Sequence, residues 1–164
     1  MRPHGAGGEP LECRMDKQPD QEELKQRLRE ATERENQPHR EPTGKIRVLL
    51  AEDHIVVRQA ITSRLREEPD IEVVELAAST GELALEIAKR VLPDVIVMDV
   101  KMAGIGGIEA TRQIKAILPQ VKIIGLSMNP PDLSGRIMIE AGASAYLTKD
   151  ISVEELLATI RRVV

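Results

Sequence analysis

The sequence predicts a doubly wound α/β domain, a five-stranded parallel sheet covered by helices on both faces, behind a charged N-terminal extension. Three observations carry that reading. From residue 45 onward, five short runs rich in Val, Ile and Leu alternate with five segments whose apolar residues recur at helical spacing, the order that builds a parallel sheet from βαβ units. The runs are mostly continuous in apolar residues, as strands buried on both faces are. Turn residues stand at the joins: Pro69-Asp70, Pro93-Asp94, Pro119, Pro130-Pro131 and Gly142.

In chain order, residues 1–44 carry only Met1, Leu11, Met15, Leu24 and Leu28 as large aliphatic side chains among many charges. That is too little apolar surface to offset the entropy of ordering, so a flexible extension is expected. Leu24 and Leu28 at i, i+4 support a marginal solvated helix over 21–35, which Pro38 and Pro42 end. His39, between those prolines, has no helix to carry it, and Cys13 is a lone thiol. The domain then begins. Strands are expected over 46–51, 71–77, 95–99, 122–126 and 143–147, and helices over 54–66, 80–90, 107–117, 133–141 and 152–164. Ser152 with Glu155 forms a capping box for the last helix, whose stripe of Leu156, Leu157, Ile160 and Val163 reads as core, with its last turn open to a pairing role in a homodimer.

Composition excludes several functions. The 164 residues hold 23 Lys and Arg against 27 Asp and Glu, a formal net charge of −4, without the basic excess of a duplex-DNA binder. Aromatics make up 1% of the chain, so there is no platform for stacking single-stranded bases. The single Cys allows neither an intrachain disulfide nor a thiolate metal cluster. No apolar run reaches the roughly 18 residues of a membrane span, and no signal peptide opens the chain. A soluble, cytoplasmic protein is expected.

Ligands of such sheets bind at the carboxyl ends of the strands, near the point where strand order reverses. There the first strand ends in Glu52-Asp53, the third in Asp99, the fourth is followed by Ser127 and the fifth by Lys149. Carboxylates gathered on one edge repel unless a cation joins them, and a hard ion with oxygen ligands, Mg²⁺, suits the set. A metal, an ammonium, a hydroxyl and a carboxylate able to act as nucleophile fit phosphoryl transfer. Residues 51–55 contain no glycine turn for a nucleotide pyrophosphate. His54 reads as a residue of the first helical turn.

The stretches VLLAEDH (48–54), DVIVMDVKM (94–102), GIEAT (107–111), IIGLSM (123–128) and GASAYLTKD (142–150) together resemble the response-regulator receiver domain of two-component signalling. The resemblance spans residues 46–164 and lies nearest the NarL/FixJ subfamily. It implies a flavodoxin-like (βα)5 fold over residues 45–164. It further implies Asp99 as phospho-acceptor, Glu52 and Asp53 as the acidic pair for Mg²⁺, and the Lys101 backbone carbonyl as a main-chain ligand. Ser127 would be the switch hydroxyl, Lys149 the lysine that pairs with the phosphoryl group, and Tyr146 the switch aromatic. The phosphoryl group would come from a histidine kinase or phosphotransfer protein, so the chain would be a signalling acceptor and not an enzyme acting on external substrates. A phosphatase of external substrates is disfavoured, since no separate substrate pocket shows in the loops. With no DNA-reading helix after the fifth helix, direct nucleic-acid binding would need another domain. The alternative is a receiver-like docking or dimerisation module that works without phosphorylation. Ala103 and Gly106 replace the family's usual Pro and Asp, so the loop 104–107 is expected to be looser. Ile55 and Asp150 likewise stand where Pro is common.

Overall fold

The computed structural model describes residues 44–76, 78–130 and 133–164. The expected extension up to residue 43, with its helix over 21–35, Cys13 and His39, lies outside the described residues, as do Ala77 and Pro131. The strands are β1 (Ile46–Ala51), β2 (Ile71–Val73), β3 (Val95–Asp99), β4 (Lys122–Ser127) and β5 (Ala145–Thr148). The helices, in chain order, are α1 (Ile55–Arg66), α2 (Gly81–Val91), α3 (Gly106–Ile117), α4 (Leu133–Glu140) and α5 (Val153–Val163).

The strands pair in parallel in the order β2-β1-β3-β4-β5. Side chains alternate across each strand, and the two sets fill separate cores. Leu49, Ala51, Ile96, Met98 and Ile123 pack with Ala84, Ile87 and Ala88 of α2, Ala110 and Ile114 of α3, and Met138 of α4. Val48, Leu50, Val95, Val97, Ile124 and Leu126 pack with Leu65 of α1 and Leu156, Leu157 and Ile160 of α5. The expected core stripe of the last helix is therefore buried against the sheet, with Val163 at its edge. After β1 the chain moves outward to β2, and after β3 it moves the other way to β4. The crevice between the carboxyl ends of β1 and β3 is the switch point.

Two strands differ from the sequence expectation. β2 stops at Val73, because the amide of Val74 gives the last ladder bond to the Val48 carbonyl at 2.9 Å. Beyond it Glu75 turns out to pair with Arg66, and Leu76 is exposed. β5 begins at Ala145, two residues late, because the amides of Gly142 and Ala143 cap α4 and bonding to β4 starts only with the Ser144 amide, which donates to the Ile123 carbonyl at 2.7 Å. Gly142 donates to the Ile139 carbonyl at 2.9 Å and Ala143 to the Met138 carbonyl at 3.1 Å, a Schellman closure with Gly142 at φ +108°. The capping signal of the last helix is realised: Ser152 Oγ accepts from the Glu155 amide at 3.2 Å. Thr80 does the same for Leu83 at the start of α2. No helix among the described residues is long and apolar enough to cross a membrane.

Candidate functional site

The carboxyl ends of β1, β3 and β5 bring four charged side chains together. β1 is followed directly by a fully buried Glu52, whose backbone amide donates to the Ala78 carbonyl at 3.0 Å. Asp99, the last residue of β3, is 2% exposed. Lys149 follows β5 with its side chain 6% exposed. Its backbone amide donates to the Ser127 carbonyl at 2.7 Å, tying it to the end of β4. The Lys149 ammonium lies 2.7 Å from Glu52 Oε2 and 3.0 Å from Asp99 Oδ2. The other Asp99 oxygen, Oδ1, accepts the Lys101 amide at 3.0 Å. Asp53 lies at the rim, with its Oδ1 2.9 Å from His54 Nδ1.

Burial, the largest influence, pushes the Asp99 carboxyl above its usual value, and Glu52 adds to it, against the opposing pull of Lys149 and the Lys101 amide. Burial alone would depress Lys149, but Glu52 and Asp99 together outweigh it and hold the ammonium charged above its ordinary range.

Ser127 sits one step past Leu126, which pairs with Asp99 across the β3–β4 ladder, and is buried. Its Oγ accepts from the Asn129 amide at 3.2 Å, while the half-buried Tyr146 donates its hydroxyl to the Asn129 carbonyl at 3.0 Å. The two predicted switch residues thus hold the two ends of one residue in the β4–α4 loop.

Three further residues belong to this edge, and the sequence reading did not include them. His54 is the residue before α1, and its Nδ1 lies 2.9 Å from both Glu52 Oε1 and Asp53 Oδ1. The signal available was its place beside an acidic pair at a strand–helix junction. Arg58, one turn further, donates to the Glu52 carbonyl at 2.5 Å. Glu82 of α2 accepts the Ile105 amide at 3.0 Å across the fold. That last contact corrects the expectation of a loose loop at 104–107. Gly81 also donates to the Ala103 carbonyl at 3.3 Å, and Gly107 to the Val100 carbonyl at 3.3 Å, so the segment is tied at several points despite positive φ at Gly104 and Gly106.

The donor set fits a divalent cation. Glu52, Asp53, His54 and Asp99 each offer one ligand atom, all within 4.8 Å of one another. Glu52 Oε2, Asp53 Oδ1 and Asp99 Oδ2 are shut from solvent without an accepted hydrogen bond. The Lys149 ammonium meets the Glu52 and Asp99 oxygens as ion contacts. Three carboxylates against one ammonium leave a surplus of negative charge that a hard oxygen-seeking ion balances.

Comparison with known proteins decides the family. The response regulator receiver domain matches residues 48–161. The chain belongs to that family. Receiver domains are the phospho-acceptor modules of two-component signalling. Among similar proteins, this receiver domain is 40% identical over 118 residues to the response regulator GacA of Pseudomonas aeruginosa, covering 72% of this chain and 55% of that one. It is 44% identical over 116 residues to the transcriptional regulatory protein LiaR of Bacillus subtilis, covering 71% and 54%. The chain thus spans about half the length of the curated relatives it matches. Among solved structures, it is similar to the response regulator domain of Thermotoga maritima CheB, with a TM-score of 0.68 and 32% identity over 73% of this chain and 96% of that one. A receiver domain of a Pseudomonas aeruginosa sensor histidine kinase, crystallised with magnesium coordinated in its active-site cleft, gives a TM-score of 0.65 and 30% identity over 72% and 96%. These neighbours bear out the flavodoxin-like fold.

Proposed function

We propose that this receiver domain, which we place at residues 45–164 after a separate extension, is phosphorylated on Asp99 by a histidine kinase or a phosphotransfer protein in the cytoplasm. The observation that carries the reading is the Lys149 ammonium held between Glu52 and Asp99, which leaves one buried carboxylate both desolvated and fixed in orientation. Glu52, Asp53 and Asp99, with the Lys101 carbonyl, would hold Mg²⁺, which when bound offsets negative charge on the phosphoryl oxygens. An Asp99 carboxylate oxygen attacks phosphorus in line. The new O–P bond forms as the bond to the donor's leaving atom breaks, and that atom departs with the electron pair. The Lys101 amide limits rotation of the carboxylate, so little orientational entropy remains to be lost. Lys149 exchanges part of its contact with Asp99 for the incoming phosphoryl oxygens.

The change of charge is then read at Asn129. Ser127 and Tyr146 grip its amide and carbonyl. A Ser127 hydroxyl that moves toward the acceptor to donate to a phosphoryl oxygen gives up the Asn129 amide, which frees Asn129 and loosens the anchor of the Tyr146 hydroxyl, biasing a two-state loop and the α4 surface beside it. The resulting surface change acts on a protein partner.

Titration with beryllofluoride in Mg²⁺ tests the reading. Saturable binding in the wild type that disappears in Asp99→Asn is expected. No binding in either protein would instead favour a docking module that works without phosphorylation.

A further inference from the structure

Arg58, in the first turn of α1, makes a different contact from the other arginines around it. Arg47, Arg64, Arg66, Arg112 and Arg161 each pair with a carboxylate. Among the described residues Arg58 pairs with none, and its Nη1 donates instead to the Glu52 main-chain carbonyl at 2.5 Å. The side chain is half-buried and lines the cleft under α1 with Leu50, Thr62 and Val74. Its own amide donates to the His54 carbonyl at 2.9 Å, so main chain and side chain of Arg58 are both tied to the turn between β1 and α1. Glu52 is thereby held on every side. Its amide donates to Ala78 at 3.0 Å, its Oε1 accepts the His54 amide at 3.1 Å, and its carbonyl accepts Arg58. The peptide joining Glu52 to Asp53 is a rigid plane. A charge-assisted bond to its oxygen therefore fixes the rotation of that plane, and with it the direction in which the Asp53 side chain leaves the main chain. Asp53 has the greater need of such a hold, because its side chain is 29% exposed where that of Glu52 is wholly buried.

We propose that Arg58 is a positioning residue of the cation site: it holds the Glu52–Asp53 peptide so that the two carboxylates are set in place before Mg²⁺ arrives. This rests on the reading of the acidic cluster as the Mg²⁺ site and adds no ligand to it. The sign of the effect separates this role from two others. Arg58 carries a positive charge beside a surplus of carboxylates, so charge alone would make its removal tighten cation binding. A residue needed only for packing would, when replaced, lower stability and leave the affinity unchanged. A positioning residue must weaken binding on removal even though a repelling charge has gone.

The test titrates Mg²⁺ by calorimetry into the full chain, into Arg58→Met, which keeps the apolar stem without charge or donors, and into Arg58→Lys, which keeps the charge and a donor on a shorter reach. Arg161→Ala, which loses ion pairs to Glu68 and Asp70, is the control for destabilisation. Groups that orient metal ligands are worth about 10- to 100-fold in metal affinity. Arg58→Met is therefore expected to bind Mg²⁺ about tenfold more weakly, Arg58→Lys to fall between it and the wild type, and Arg161→Ala to match the wild type. Nitrogen-15 relaxation of the metal-free proteins supplies a second readout. The Asp53 amide is expected to show a rigid order parameter of about 0.85 in the wild type and a clearly lower one in Arg58→Met. Equal or tighter Mg²⁺ binding by Arg58→Met, an unchanged Asp53 order parameter, or an equal loss in Arg161→Ala would overturn the proposal and leave the Mg²⁺ site standing. Failure of the wild type to bind Mg²⁺ would overturn the site reading and the proposal together. Should Arg58→Met not fold, Arg58→Lys decides alone: binding a few-fold weaker than the wild type supports the role, and equal or tighter binding overturns it.

Discussion

Gly107, the second residue of α3, packs directly against the backbone at the end of the acceptor strand, and replacing it by alanine is a quantitative test of how the site is positioned. A Cβ there would lie 2.0 Å from the Asp99 carbonyl oxygen, 2.9 Å from its carbonyl carbon and 3.0 Å from Val100 Cα, whereas ordinary contact begins at 3.4 Å. All three are backbone atoms, so no side chain can swing aside, and the strand end and the helix must separate by about 1.4 Å. Overpacking of this kind costs about 1 to 3 kcal/mol of stability. The shift falls on the residue whose carboxylate must meet phosphorus, where a misplacement of about 1 Å is worth roughly a hundredfold. The neighbouring Gly106 is the control. Nothing lies within 4 Å of its added Cβ, but its φ is +76°, so alanine there costs about 1 to 2 kcal/mol of backbone strain without pushing on Asp99. Urea denaturation and beryllofluoride affinity in Mg²⁺ separate the two. Gly107→Ala is expected to lose stability and about a hundredfold in affinity, and Gly106→Ala to lose stability with an affinity change of only a few-fold. Equal affinities for the wild type and Gly107→Ala would refute the reasoning.

Further outcomes follow from the same geometry. Lys149→Ala leaves Glu52 and Asp99 as buried carboxylates without their ammonium, so unfolding in chelator should show a loss of about 3 to 5 kcal/mol, part of it restored by millimolar Mg²⁺; no loss would contradict the buried pairing. Glu82→Ala frees the Ile105 amide, and hydrogen exchange at Ile105 should quicken more than tenfold, while unchanged protection would mean the loop is held by other contacts. The Arg161 guanidinium, bonded to Asp70, holds that carboxyl below its usual 3.8. The folded chain therefore binds that proton less tightly than the unfolded chain does. The stabilisation is present above about pH 4 and is lost as pH falls through the lower folded value. The deficit of Arg161→Ala should accordingly shrink on acidification in thermal unfolding scans, and a deficit constant down to about pH 2 would rule the pairing out as its cause.

Much of the fold was legible because both faces of each inner strand are buried. Runs such as residues 46–51 and 95–99 declare themselves in apolar residues, and the charged residues that close them, Glu52 and Asp99, mark the strand ends. The site residues were readable for the same reason: a carboxylate placed directly after an apolar run sits at the carboxyl edge of a parallel sheet. The ends of β2 and β5 were less readable. The small residues Ala143 and Ser144 before β5 read as part of its run, but the amides of Gly142 and Ala143 are spent on capping α4, and sequence pattern does not show where an amide goes. The tied loop was hidden more deeply. Its glycines announce freedom, whereas its restraint comes from Glu82, 23 residues away on another helix. His54 was discounted because its position before a helix already explained it, and only the fold shows both carboxylates converging on its ring.

The central claim is that Asp99 is the residue that carries phosphorus, and it can be read at that residue directly. After incubation with acetyl phosphate and Mg²⁺, borohydride reduces an aspartyl phosphate to homoserine, and peptide mass spectrometry locates it. The account predicts homoserine at position 99 in the wild type, and its loss when Mg²⁺ is chelated or Lys149 is replaced by alanine. Homoserine at any other aspartate, or none under conditions in which beryllofluoride binds, would contradict it.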